Sequence, residues 1–174
     1  MSISRREFFR GFTPKVSSSR SKLDRASAID AYVRTHLLPY DFSLTDDEVK
    51  QVLETVCSGM NTESDETELN DGERRHMMDL AEQVIRPLRD QFWQAEEARR
   101  SALVFVREFL KLEATPEDLQ KIRDRFQIPY LTNLEDEIER HVTSWLHGLP
   151  NARLAGLEGV SLRELVVSEL KSWC

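Results

Sequence analysis

The sequence predicts an all-α protein, a bundle of six or seven helices preceded by a short basic and aromatic arm. Apolar residues recur every three or four positions through most of the chain, which is the period of an amphipathic helix. Residues that begin and end helices fall at the boundaries that this period requires. The 174 residues include only 6 Gly and 6 Pro, and no stretch alternates apolar and polar residues over a strand's length. Turn-rich β folds are therefore disfavoured.

The first predicted helix carries apolar residues from Leu23 to Leu37, and Pro39 ends it. The later helices are recognised by capping residues, whose side chains accept hydrogen bonds from unpaired backbone N–H groups. The predicted starts are Thr45, Asn70 or Asp71, Thr115, the segment Thr132–Glu135, and Ser161. Pro87 lies inside the long apolar period that follows residue 71. Because proline clashes with the carbonyl four residues before it, we expect either a kink or two abutting helices there.

Charge is distributed unevenly along the chain. The formal net charge is −7, yet residues 1–25 hold seven basic and two acidic side chains, a charge of +5, which leaves −12 for the rest. Residues 13–21 are rich in serine and lack apolar periodicity, as is typical of a linker. We therefore predict a basic arm and serine-rich linker over residues 1–22 and one helical domain over 23–174. Residues 61–73 carry six acids and no base, which predicts a solvated loop.

Composition disfavours several classes of protein. An acidic chain of net charge −7 is a poor general nucleic-acid-binding surface. No apolar run approaches the roughly 18 to 20 residues that span a bilayer, so we expect no transmembrane segment. Two cysteines, Cys57 and Cys174, cannot build a disulfide framework. We expect a cytoplasmic protein without a cofactor, and the sequence leaves homo-oligomerisation open.

The N-terminal arm is the candidate partner-binding site. Ser4 and Glu7 have the spacing of a capping box, and Gly11 would end the resulting two-turn helix. So short a helix needs a surface to cover, because nucleation of a helix is costly. Aromatic side chains would supply buried apolar area, and arginines would set orientation and association rate. The candidate partner-binding residues are Arg5, Arg6, Phe8, Phe9, Arg10 and Phe12.

The segment Ser4-Arg5-Arg6-Glu7-Phe8-Phe9-Arg10 resembles the recognition motif of twin-arginine (Tat) leader peptides, Ser/Thr-Arg-Arg-x-Phe-Leu-Lys. Phe9 stands at the Leu position and Arg10 at the Lys position, and the resemblance covers seven residues. A Tat leader continues into an apolar stretch and a small-residue cleavage site. Here residues 11–15 lead into serines and further bases, so we expect no export. The resemblance implies a link to the maturation of redox enzymes.

Two alternatives use other residues. Glu73 and His76 have the Glu-x-x-His spacing of di-iron helical bundles, and Glu137 lies one turn before His141, so a helical metal-binding protein or metalloenzyme could use these four side chains. A nucleic-acid-associated or phage-type accessory protein could instead use the basic arm.

The sequence contains no phosphate-binding loop. Cys57 lies on the apolar face of its helix, where we expect it to be a buried apolar residue, and no base adjoins Cys174 in sequence to activate it as a nucleophile. We therefore predict a non-enzymatic interaction protein: an adaptor, assembly chaperone or accessory subunit, with redox-enzyme assembly as one setting. It would engage a partner protein through the N-terminal arm.

Overall fold

The structure is a computed structural model, and it describes residues 17–60 and 68–174. Within these ranges the chain forms seven α-helices and no β-strand, which confirms the predicted all-α class. The helices are α1 (Ser17–Tyr32), α2 (Asp46–Gly59), α3 (Asp71–Leu112), α4 (Pro116–Arg125), α5 (Leu134–His147), α6 (Asn151–Leu154) and α7 (Gly159–Trp173), and a π-helical turn, Val33–Leu37, follows α1.

Helix α1 begins earlier than the sequence predicts. It starts at Ser17, so residues 17–22, which were expected to belong to the linker, are helical. Serine is a poor residue in a helix interior but a frequent one near a helix start, so a serine run does not by itself exclude a first helical turn. Residues 1–16 lie outside the described part of the chain, and the boundary between arm and helical body stays a prediction.

Helix α3 is continuous through Pro87. It extends over 42 residues, so the alternative of two abutting helices is wrong. Where the sequence predicts one helical domain over 23–174, the chain divides into two compact units, Met1–Arg86 and Pro87–Cys174. We call these the first and second units and describe each by itself.

The core of the first unit is formed by α1, the π-helical turn, α2 and the beginning of α3. Apolar side chains from each of these elements are fully buried: Ile29, Val33, Val52, Val56 and Met77. The end of α2 lies close to α3, because a Cβ atom on Gly59 would collide with the side chain of Leu80. The Nε2 atom of His76 also lies 3.3 Å from the carbonyl oxygen of Gly59. Glycine at this position therefore allows α2 to end against α3.

The second unit has the larger core. Small residues on α3 allow neighbouring helices to pack closely, and branched apolar residues of α4, α5 and α7 fill the remaining space. Fifteen buried residues form one cluster, which includes Ala98, Ala102, Ile122, Val142, Val166 and Trp173. The predicted inward faces of α4, α5 and α7 contribute Ile122, Ile138, Val142, Leu162, Val166 and Leu170 to this cluster, as the helical period requires.

The capping predictions are confirmed at four helices. Thr45 and Glu48 form a reciprocal capping box at α2, and Thr115 and Asp118 form one at α4. Asn70 and Glu73 exchange the same pair of hydrogen bonds at α3, both of 3.0 Å. The side chain of Asn133 caps α5 by accepting from the N–H group of Glu135. Each cap depends on residues within three positions of one another, which is why sequence spacing predicts it.

The C-terminal region departs from the prediction. Helix α7 begins at Gly159, so its N-cap residue is Glu158, three positions before the expected cap Ser161, and the Glu158 side chain makes no capping hydrogen bond. Val160 is 72% exposed, and a short helix, α6, precedes α7. Trp93 on α3 is 46% exposed and does not belong to the core cluster of the second unit.

Candidate functional site

The six candidate residues of the arm, Arg5 to Phe12, lie outside the described part of the chain. Their role as a partner-binding site stays a prediction. The described residues do bear on the alternative metal site and on the cysteines. They also show an exposed loop that the sequence analysis did not single out.

Glu73 and His76 both have structural partners in the first unit. Glu73 caps α3 through Asn70 and forms an ion pair with Arg25, whose side chain is 1% exposed. The hydrogen bond from the backbone N–H of Asn70 lowers the pKa of Glu73, and the charge and hydrogen bond of Arg25 lower it further. His76 faces the carbonyl oxygen of Gly59. Both side chains therefore help to join α3 to the helices packed against it.

Glu137 and His141 are engaged separately in the second unit. Glu137 forms an ion pair with Arg140, and the imidazole of His141 stacks on Phe126 with ring centroids 4.2 Å apart. Among the described residues, no three His, Cys, Asp or Glu side chains are grouped as metal ligands would be. The four residues of the alternative metal site are thus used in a cap, ion pairs, ring stacking and, for His76, a contact with a backbone carbonyl.

Neither cysteine is activated as a nucleophile. Cys57 and Cys174 are both half-buried. Burial raises the pKa of the Cys57 thiol, and the nearby charge of Asp30 raises it further. Burial likewise raises the pKa of Cys174. Since the thiolate is the reactive form, both thiols are held in their less reactive state.

Arg99 is a buried charge in the second unit with a defined structural role. Its guanidinium donates hydrogen bonds to Glu96, to the carbonyl oxygen of Leu149 and to the side chain of Asn151, the last at 2.9 Å. It also donates to the carbonyl oxygen of Leu146 near the end of α5. These carbonyl groups follow or end a helix, where intrahelical partners are missing. Arg99 therefore joins the end of α5 and the start of α6 to α3.

The α4–α5 loop, residues 126–133, presents apolar side chains to solvent. Leu131 is fully exposed and Tyr130 is 76% exposed, whereas Ile128 in the same loop is buried in the body of the second unit. Gln127 adopts a positive φ of 53°, which lets the chain leave α4. The loop therefore has a buried apolar residue at its base and two exposed apolar residues at its tip.

Hydrogen bonds and a ring contact connect this loop to α4 and to itself. Nη1 of Arg123 donates to the carbonyl oxygen of Pro129 at 2.6 Å, and the guanidinium lies 4.9 Å from the centre of the Tyr130 ring. Gln120 donates to the Tyr130 hydroxyl at 2.9 Å, and the Thr132 hydroxyl donates to the carbonyl oxygen of Pro129 at 2.7 Å. The exposed tip is thus preorganised by residues of α4 and by its own turn.

The sequence carries a signal for this loop that periodicity does not reveal. Pro129, Tyr130 and Leu131 lie between two amphipathic helices. Large apolar residues are uncommon in turns, which are usually polar, so their presence here is the signal. The ring contact with Arg123 and the hydrogen bond with Gln120 depend on how α4 turns, so they could not be read from spacing alone.

No helix among the described residues has the length and apolar character required to span a bilayer. No protein-family model, curated protein or solved structure matches this chain at a significant level.

Proposed function

We propose that this chain is a non-enzymatic interaction protein that engages a partner protein through its N-terminal arm and through the α4–α5 loop. The observation that carries this proposal is the pair of exposed side chains at the loop tip, Tyr130 and Leu131, on a backbone held by Arg123 and Thr132. Protein interfaces concentrate binding energy in a few aromatic and apolar side chains that enter pockets of the partner.

The preorganised loop favours binding because little conformational freedom is lost when a partner covers it. Ordering a free loop typically costs about 0.5–1.5 kcal/mol for each immobilised side chain. Tyr130 is already held by Gln120 and by the guanidinium of Arg123. A partner pocket that accepts Leu131 would therefore gain apolar burial with little ordering cost.

The arm supplies the second contact in this proposal. Its arginines and phenylalanines at residues 5–12 combine charge with aromatic area. The arm is positively charged, whereas the rest of the chain is acidic, so the two would attract different partner surfaces. The resemblance of Ser4–Arg10 to the Tat recognition motif supports redox-enzyme assembly as the setting. An adaptor, an assembly chaperone and an accessory subunit are all forms of the proposed non-enzymatic interaction protein.

Affinity capture from native lysate tests the proposal. The full chain would be compared with an arm variant, Phe8→Ser with Phe9→Ser, and with a loop variant, Tyr130→Ser with Leu131→Ser. Tyr40→Ser is the matched control, because Tyr40 is 90% exposed and lies in the first unit. We expect one set of partner proteins to be captured by the wild type and the control and to be lost from both variants.

Thermal unfolding of each variant provides the necessary check on folding. Exposed residues contribute little to stability, so the melting temperature of the loop variant should match that of the control. Equal capture by all four proteins, with unchanged melting, would contradict the proposal.

A further inference from the structure

A groove in the second unit runs between α3 and the loop that joins α6 to α7. It encloses about 440 Å³ and is lined on one side by a row of α3 residues: Gln94, Glu97, Ala98, Ser101 and Phe105. This row spans three turns, or about 16 Å at 1.5 Å per residue. The opposite wall is residues 156–159 with Leu162 from α7. The groove is therefore long enough for an extended chain of about five residues at about 3.3 Å each.

Two glycines lie in the wall opposite α3. Gly156 and Gly159 have φ values of 81° and 49°, in the region that favours glycine. A Cβ atom on either would meet no atom within 4 Å, so the space beside both glycines is open. The wall can thus be approached closely by the main chain of a ligand, as in other sites where glycine lies against a bound chain.

The floor of the groove is apolar. Ala98 and Leu162 are buried, and Phe105 and Leu157 are half-buried against the core cluster of the second unit. Apolar side chains of a ligand would find partly exposed rings and methyl groups there. Burial of such surface on both partners favours association.

The rim of the groove is acidic. Glu97 and Glu158 line it, and none of the described residues that line it is basic. Glu97 faces Arg100 at 3.6 Å, but both side chains are about two-thirds exposed or more, so this pair is weak and the carboxylate stays accessible. The Glu158 side chain makes no capping hydrogen bond at α7. The groove therefore offers two carboxylates to a cationic ligand.

We propose that this groove binds a short peptide segment of a partner protein in which apolar side chains alternate with Arg or Lys. The apolar residues would lie on the floor and the basic residues would reach Glu97 and Glu158. This inference rests on the proposed function, since it names the chemistry of a partner segment. It concerns a surface other than the arm and the α4–α5 loop.

A labelled pentapeptide that alternates Phe and Arg is a suitable probe, and the full chain is the receptor. We expect saturable binding that weakens as salt is raised, because exposed charges are screened. Glu97→Gln with Glu158→Gln should weaken binding about threefold or more at low salt, within the range of exposed charge pairs. Glu164→Gln is the matched control, because this exposed α7 residue does not line the groove.

Amide NMR signals locate the peptide independently of any variant. We expect the signals of Gly156 and Gly159 to shift with added peptide, while those of Gly59, Gly72 and Gly148 stay in place. Peptides with Glu in place of Arg, or Ser in place of Phe, should bind more weakly.

The inference is overturned if Gly156 and Gly159 do not respond, if the double variant binds equally well, or if all three peptides bind alike. Lysate capture that still depends on the arm and loop would then leave the proposed function standing. If instead lysate capture did not depend on the arm and loop but the peptide still bound in the groove, the proposed function would be contradicted and the groove inference would stand.

Discussion

Arg25 on α1 and Glu73 on α3 form an ion pair across 48 positions of sequence, with the arginine side chain 1% exposed. The same carboxylate accepts the backbone N–H of Asn70 and so caps α3. One side chain therefore begins a helix and also joins that helix to another. This double use engages the Glu73 carboxylate, one of the four residues of the alternative metal site, within the first unit.

Replacement of Glu73 by Gln should destabilise the first unit. The change removes the negative charge that faces buried Arg25, and removing one member of a buried ion pair is destabilising. We expect a loss of about 2 kcal/mol in the free energy of unfolding, measured by urea denaturation. Glu54→Gln is the matched control, since Glu54 is exposed on α2. Equal stability of the two variants would show that the pair contributes nothing.

The contribution of Glu73 should also depend on pH. Its pKa is lowered in the folded chain from the ordinary value of 4.5, so the folded state favours the carboxylate. The resulting stabilisation is present above that value and is lost as pH falls through the folded-state pKa. The stability difference between the wild type and Glu73→Gln should therefore be largest near neutral pH and shrink below about pH 4.5. A difference that grows on acidification would contradict this assignment.

Arg99→Met should destabilise the second unit. The substitution keeps an apolar stem but leaves the carbonyl oxygen of Leu149 and the side chain of Asn151 without their donor. We expect a loss of about 2 kcal/mol in the free energy of unfolding. Arg100→Met is an internal control, because the neighbouring side chain is 67% exposed and should change stability by less than about 0.5 kcal/mol. Chemical denaturation of both variants measures the contrast.

Val160→Asp should stabilise the second unit. The first turn of α7 contains no acidic residue, and the exposed Val160 side chain contributes little burial. A carboxylate there would interact favourably with the positive end of the helix dipole, a gain of about 0.5 kcal/mol. The melting temperature should rise, and high salt should reduce the gain. A fall in melting temperature would show that Val160 packs against the fold, as a hydrophobic staple would require.

Local sequence rules predicted much of the fold. The caps at Thr45 and Thr115 and the start of α5 within residues 132–135 were predictable because donor and acceptor lie within three residues of one another. The continuity of α3 through Pro87 was not predictable from sequence. Proline lowers the stability of a helix interior, and whether tertiary packing compensates for that loss depends on distant residues. The exposed position of Trp93 was not predictable for a similar reason: the helical period places a residue on one face of α3, but neighbouring helices decide how much of that face is covered.

The candidate sites also fall into those predicted from sequence and those visible only in the structure. The arm was proposed from composition and spacing alone, and it lies outside the described residues. The α4–α5 loop and the α3 groove emerged only from structure, because Arg123 contacts Tyr130 and the groove faces Leu162 through tertiary packing. Sequence spacing did suggest Glu73 and His76 as a pair, but α1 and α2 supplied the partners that these side chains contact.

The sequence by itself determined the helical class and most helix ends, because hydrophobic period and capping act over a few neighbouring residues. Tertiary structure decided which apolar residues became core and which stayed exposed, and it placed Arg25 and Arg99 in buried positions. Burial depends on residues far away in the chain, so the same local pattern can lead to a covered side chain or an exposed one.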